Sequence, residues 1–365
     1  MNRDALKYWL ALNMVVGVGR TIFHRLVKAF GSPENVFSAR IVDLRQVHGV
    51  GDKVAAAISG FDVDRATDRE IGLAEKEDIR ILTLVSDEYP ELLKTIYDPP
   101  PVLYVKGKPL NSISFPLAVV GTRNPSEYGK IITHRLCLKL ASAGFNLVSG
   151  LARGIDTLVH RAALEAGADT IAVFGCGLGH TYPPENRKLR NEIVQQGAII
   201  SEFPVLMRPE RNNFPARNRV LSGLSLGTVV VEAAEKSGAL ITADFALEQG
   251  REVFAVPGNI TSPKSKGTND LIKAGAKLVD SPDSVIEELL PVLREKLDKP
   301  EIKLDNEVER QVFSLLSLEG RHIDNLIENS DLSPAQVSAT LLQLELRGLV
   351  RQLSGKIYVS NCDTK

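Results

Sequence analysis

The sequence is short of three things, and each shortage narrows what the chain can be. Aromatic residues make up 5% of its 365 positions, with a single tryptophan, which argues against a chain-wide ladder of base-stacking rings. Net charge is nearly absent, since 44 Lys and Arg face 45 Asp and Glu. That rules out a histone-like or polybasic protein, so any binding of nucleic acid must come from a local cluster of charge. Cysteine is scarce: Cys137, Cys176 and Cys362 lie far apart with no C-x-x-C pair. Neither a zinc knuckle nor a disulfide framework is indicated, and no metal or cofactor is expected.

Long apolar runs are missing as well. None approaches the roughly 18 residues of a membrane span. The richest stretch, Leu6 to Val16, has Asp4 just ahead of it and Lys7 and Asn13 inside it, with no small-residue cleavage site after it. It reads as an amphipathic helix and not a signal peptide. The chain is expected to be soluble, cytoplasmic and reduced, with no membrane partner, and its length predicts two or three domains.

What is present divides the chain into segments. Residues 1–65 are helical in pattern and carry a short repeat: Val15-Val16-Gly17-Val18-Gly19 returns as Val47-His48-Gly49-Val50-Gly51. Each copy precedes a helical stretch, Arg20 to Phe30 and Asp52 to Ser59. Two glycines around one apolar residue allow a tight turn, and the free N–H groups of the next helix suit a phosphate. The spacing resembles a tandem helix-hairpin-helix. The hairpins either touch DNA or only turn corners, and Asp52 beside the second one opposes an anion.

Residues 66–293 change period. After two strands, Arg80 to Val85 and Val102 to Lys106, short β-branched runs alternate with helical segments from about residue 115. The runs are Pro116–Gly121, Asn146–Ser149, Asp169–Gly175, Ala198–Phe203, Gly227–Val231, Glu252–Pro257 and Ala276–Val279. Near-continuous apolar strands separated by helices predict an α/β fold with a doubly wound, mainly parallel, Rossmann-like sheet. A charged linker over 294–305 precedes a last segment, 306–365, whose three helices and terminal hairpin look like a winged helix. Its six basic and eight acidic residues make it a poor duplex binder and favour a protein-interaction or regulatory role.

In a doubly wound sheet the ligand lies beyond the carboxyl ends of the strands. There the chain places Gly121-Thr122-Arg123, then Ser149-Gly150-Leu151-Ala152-Arg153-Gly154-Ile155-Asp156, then Gly175-Cys176-Gly177-Leu178-Gly179. Such turns expose backbone donors, and Arg123 adds a guanidinium fork suited to phosphate. No G-x-G-x-x-G stands at the first crossover and no P-loop occurs anywhere. The most informative stretch is residues 208–222, which carries Arg208, Arg211, Arg217 and Arg219 around one ring, Phe214. Arginines that hold successive phosphates while a ring stacks on a base are what a single-stranded nucleic acid needs.

These motifs, with Asn213-Phe214-Pro215-Ala216-Arg217-Asn218-Arg219 and Ser237-Gly238-Ala239-Leu240-Ile241-Thr242-Ala243, resemble the DNA processing protein A (DprA, or Smf) family over about residues 80–290. The resemblance implies a protein, not an enzyme, that binds and protects single-stranded DNA in natural transformation. It implies loading of the RecA recombinase and a homodimer formed through the α/β core. Carried onto this chain, it puts phosphate contacts at Arg123 and Arg211 and the stacking ring at Phe214. Gly121, Thr122, Ser149, Gly150, Arg153 and Gly154 would form the turns against the strand. Asn213, Asn218, Arg217 and Arg219 would contact phosphate or brace the loop.

A more distant resemblance connects the core to lysine-decarboxylase-like hydrolases of nucleoside monophosphates. Their P-G-G-x-G-T motif corresponds here to Ser222-Gly223-Leu224-Ser225-Leu226-Gly227-Thr228, with Glu232 after it. The Pro and one Gly are missing, so nucleotide hydrolysis is the alternative function and not the leading one. No catalytic histidine is evident, because His134 and His160 fall inside helical segments.

Overall fold

The computed structural model describes residues 3–297, 307–316, 320–330, 332–346, 349–353 and 355–360. The chain separates into two compact units, residues 1–289 and 290–365.

The first unit opens with helices over Arg3–Met14, Arg20–Phe30, Pro33–Ser38, Ile41–Leu44, Asp52–Ser59 and Val63–Lys76. The two repeats adopt the same hairpin, with Gly17 at φ +90° and Gly49 at φ +93°. The helices that follow start at Gly19 and Gly51 with no side-chain cap. Asp52 is held by Arg45 at 2.8 Å. The helix Val63–Lys76 begins where the Asp62 carboxylate accepts the Arg65 N–H, so the expected boundary at residue 65 falls inside a continuous helix. The helical segment also shares an apolar core with the sheet: Leu10, Leu12, Phe23 and Leu26 cluster with Tyr104, Phe174, Leu178 and Ile193.

The sheet has nine strands: β1 (Arg80–Thr83), β2 (Val102–Gly107), β3 (Pro116–Val120), β4 (Asn146–Ser149), β5 (Thr170–Val173), β6 (Ala198–Ser201), β7 (Gly227–Val230), β8 (Glu252–Ala255) and β9 (Lys277–Leu278). Their order is β1-β2-β6-β5-β4-β3-β7-β8-β9. From β6 through β9 every pairing is parallel, while β1–β2 and β2–β6 are antiparallel. The strands β5, β6 and β7 are buried along their whole length, as their unbroken apolar pattern requires in a sheet covered on both faces. The chain winds outward from β3 to β6, then returns to the other side of β3 with β7. That reversal opens a crevice beyond the carboxyl ends of β3, β4 and β7.

Two buried polar contacts fix the crevice walls. His160, on the helix Ile155–Glu165, places Nε2 2.6 Å from the Gly150 carbonyl and Nδ1 2.8 Å from the Thr170 hydroxyl. It is a satisfied core residue, and burial pushes its pKa down to about 4. Behind the other wall, Glu202 pairs with Arg219, whose side chains are 6% and 2% exposed. Arg20 joins Glu202 at 3.3 Å and Asp98 at 3.1 Å, and Arg219 Nη1 donates to the Asp98 carbonyl at 2.6 Å.

The second unit contains helices Glu307–Ser314, Ile323–Glu328 and Pro334–Leu346 and strands β10 (Arg321–His322), β11 (Val350–Leu353) and β12 (Ile357–Ser360). The strands form an antiparallel sheet in the order β10-β12-β11, adding a short third strand to the expected hairpin. Val312, Phe313, Leu326, Val337, Leu341 and Tyr358 fill its core, and the architecture is that of a winged helix. Of the linker expected over 294–305, the first residues continue the helix Pro282–Leu297. Residues 298–305, like Cys362, lie outside the described residues. No described helix is long and apolar enough to cross a membrane.

Removing one partner of a buried pair strands the other charge, at a cost of about 3–5 kcal/mol. Glu202→Leu is therefore expected to lower the urea unfolding free energy by about 3 kcal/mol, read from the midpoint at unchanged slope. For His160 the unfolded ring takes up a proton near pH 6.5 while the folded ring resists it until about 4. Stability from this group is thus complete above pH 6.5 and falls as pH drops, by about 3 kcal/mol in all. Urea melts of wild type and His160→Gln across pH 4–7 should show the steeper fall in wild type.

Candidate nucleic-acid interface

The crevice at the switch point holds about 670 Å³. Gly121, Thr122 and Arg123 reach it from the end of β3, Ala152 from the turn after β4, Asp156 from the first turn of the helix Ile155–Glu165, and Ser237, Gly238, Ala239, Ile241 and Thr242 from the cap and first turns of the helix Gly238–Glu248. The fourth wall is the helix Asn213–Gly223, which contributes Phe214, Arg217, Asn218 and Leu221. These are positions i, i+3, i+4 and i+7, a single helix face. Arg211, just ahead of that helix, is exposed at the rim.

The loop after β3 is held from below by one acid. The Glu232 carbonyl accepts Thr122 N–H at 2.8 Å. Its carboxylate, in a residue only 2% exposed, accepts Ser126 N–H at 2.8 Å. Ser126 in turn caps the helix Glu127–Ser142 through Gly129 N–H. Glu232 therefore staples the arginine loop and does not face the crevice. Arg123, at the top of this loop, is exposed, with its guanidinium carbon 5.9 Å from the centre of the Phe214 ring, within cation–π range.

The loop after β4 has no spare room. Gly154 sits at φ +80°, and a Cβ there would meet the Arg123 main chain at 2.6 Å. At Gly150 a Cβ would meet the Arg217 guanidinium at 2.6 Å. Arg217 is buried, donates to the Val173 carbonyl, and lies beside Asp156, which accepts Ala152 N–H at 3.2 Å. Burial lowers the Arg217 pKa and the Asp156 carboxylate opposes that; burial raises the Asp156 pKa and Arg217 opposes that. The pair is a charged floor under the crevice.

The structure thus brings Gly121, Thr122, Arg123, Arg211, Phe214, Arg217 and Asn218 to one cleft. Others stand apart. Arg219 points into the protein, because five residues after Phe214 is the opposite helix face, and there Glu202 and Asp98 hold it. Its place in the arginine set around the ring is corrected accordingly: it braces the helix. Ser149 spends its hydroxyl on the Val119 carbonyl at 2.7 Å. Arg153 is exposed but paired with Glu185, and Asn213 bonds Met207 Sδ at 3.7 Å. Asn218 Nδ2 donates to the Gly238 carbonyl at 3.2 Å, linking two walls.

Two crevice residues have no counterpart in the expectations drawn from sequence. Asp156 was legible only as a residue at a helix start, since its role depends on a buried arginine distant in the chain. Tyr182 lies between β5 and β6 and packs its ring 5.4 Å from Phe214. An aromatic just after the Gly175-Cys176-Gly177-Leu178-Gly179 turn was the available signal. Among the described residues no group of three or more His, Cys, Asp or Glu is placed to hold a metal ion.

Comparison with known proteins identifies the family. The model of the DNA recombination-mediator protein A family matches residues 80–290, and that of the DprA winged helix domain matches residues 297–356. Protein Smf from Synechocystis is 35% identical over 96% of this chain and 98% of its own length. Among solved structures, DNA processing protein A from Streptococcus pneumoniae superposes with a TM-score of 0.69 at 36% identity, covering 77% of this chain and 97% of that one. DNA processing protein A from Helicobacter pylori, whose structure concerns its single-stranded DNA binding mode, matches with a TM-score of 0.53 at 32% identity, covering 59% and 96%. With sequence, domain order and fold in agreement over most of its length, the chain belongs to the DNA recombination-mediator protein A family.

Proposed function

We propose that this protein binds single-stranded DNA in the crevice beyond β3, β4 and β7. One observation carries the reading: an exposed arginine and a ring 5.9 Å apart at the mouth of a cleft. A phosphate can meet Arg123 while its base lies against the aromatic surface, a combination that a duplex with stacked bases does not offer. Arg211 at the rim adds a second phosphate contact, and the buried Arg217 lends positive potential from the floor. Gly121, Gly150 and Gly154 let the turns that carry these groups pack closely, since a Cβ on each would meet Ile155, Arg217 or the Arg123 main chain. The Helicobacter pylori relative, described by its single-stranded DNA binding, supports the same assignment.

In the cell the protein would protect incoming single strands in the cytoplasm during natural transformation and pass them to the RecA recombinase, acting as a homodimer through the α/β core. Family membership supports this role. Nucleotide hydrolysis fits less well. Glu232, the acid that corresponds to the hydrolases' motif, is committed to the Ser126 N–H. The protein is therefore read as a binding protein and not an enzyme.

Fluorescence anisotropy with labelled oligonucleotides tests the site. Single strands should bind more tightly than duplex, with affinity falling as salt rises. Phe214→Ala should cost about 1–3 kcal/mol, roughly 5- to 150-fold. Arg123→Ala should also flatten the salt dependence by about 0.7 in log–log slope. Unchanged affinity in both the Phe214 and Arg123 variants would remove DNA from this crevice.

A further inference from the structure

Phe214 is the ring singled out by its sequence neighbours, yet it is not the ring most open to solvent. Its position is closed from beneath: a Cβ on Gly175 would stand 2.7 Å from Phe214 Cδ1, 3.1 Å from Cε1 and 3.2 Å from Cγ. The ring therefore rests on the Gly175 backbone. Arg123 and Tyr182 cover much of what remains, and Phe214 is only half-exposed. Tyr182 leans against it with the ring planes 44° apart, and keeps 44% of its own surface open.

The tyrosine is held out on a braced loop. Asn186, itself buried, donates to the Leu151 carbonyl at 3.0 Å and to the Thr157 hydroxyl at 2.9 Å, tying the loop to the turn after β4. Arg190 fixes the other side through the Leu178 carbonyl at 2.8 Å. Tyr182 belongs to none of the buried apolar clusters described above, and the fold gains little from leaving so large a ring in water. Beneath the two rings lies a second, small cavity of about 40 Å³ that both help to line, too small for a nucleobase. A base cannot enter it, and would instead meet the two rings from the open crevice, which both also line.

We propose that Tyr182 is a base-stacking residue of this site, presenting the outer face on which an unpaired nucleobase lies, with Phe214 as its backing and Arg123 holding the adjoining phosphate. This assignment rests on the single-stranded DNA reading and deepens it. The ligand class is an unstacked base with its phosphodiester, and the contact is the ring itself and not the hydroxyl.

The test uses the full chain, oligo-dT carrying one 2-aminopurine, and four proteins: wild type, Tyr182→Phe, Tyr182→Ala and Phe214→Ala. Wild type and Tyr182→Phe should bind within about twofold of each other and change the 2-aminopurine emission on binding. Tyr182→Ala should bind about tenfold or more weakly, lose most of the emission change, and keep the wild-type salt slope, since no phosphate contact is removed. Its urea midpoint should match wild type, which separates lost stacking from lost folding. If Tyr182→Ala keeps wild-type affinity and emission while Phe214→Ala loses both, the tyrosine assignment fails and the single-strand reading stands. Equal loss in Tyr182→Phe and Tyr182→Ala would assign the contact to the hydroxyl and overturn stacking. If wild type shows no preference for single strands, the reading beneath the proposal fails with it.

Discussion

The ion pair between Glu202 and Arg219, joined by Arg20 and Asp98, links three parts of the first unit that are far apart in sequence. Glu202 follows β6, Arg219 lies on the helix that forms one crevice wall, and Arg20 opens the helix after the first glycine hairpin. Moving two charges from water into a protein costs several kcal/mol per ion, recovered only when geometry and hydrogen bonds are both favourable. The cluster therefore tolerates little displacement. A shift of the Asn213–Gly223 helix would separate Arg219 from its acids, so the wall that carries Phe214 is held by its inward face while its outward face stays free for a ligand.

Charge in the crevice is layered. Arg217 sits in the floor, partly balanced by Asp156, while Arg123 and Arg211 stand at the surface. A buried cation cannot be screened by counterions as a surface one can, so it biases the whole cleft toward anions. The exposed arginines exchange water for phosphate at little desolvation cost. This arrangement lets a chain of nearly zero net charge present a positive cleft in one place.

Most of the architecture was legible in the sequence. Apolar runs bounded by glycine turns located the strands to within a few residues, because a sheet buried on both faces leaves no polar alternative. The crevice followed from the doubly wound fold class, which puts a ligand beyond the carboxyl ends of the strands. Individual side chains were harder to read. Four arginines around Phe214 looked alike as a string of letters; counting helical positions from Phe214 separates Arg217, three residues on, from Arg219, five residues on. That count depends on the helix beginning at Asn213, where no side-chain cap marks its start. Tyr182 and Asp156 were illegible for a different reason: each gains its meaning from a partner on another strand or helix, Phe214 in one case and Arg217 in the other.

The Glu232 staple has a consequence for the kinetics of encounter. By accepting the N–H groups of Thr122 and Ser126, on either side of Arg123 in the loop after β3, it removes backbone choice from Arg123 before any ligand arrives. What remains to be frozen on contact is the rotamer freedom of one side chain, on the order of 1–2 kcal/mol. On the proposed function, a strand would be captured without waiting for a loop to close, and released without waiting for one to open. Such a surface suits a ligand that must be gripped and then handed on.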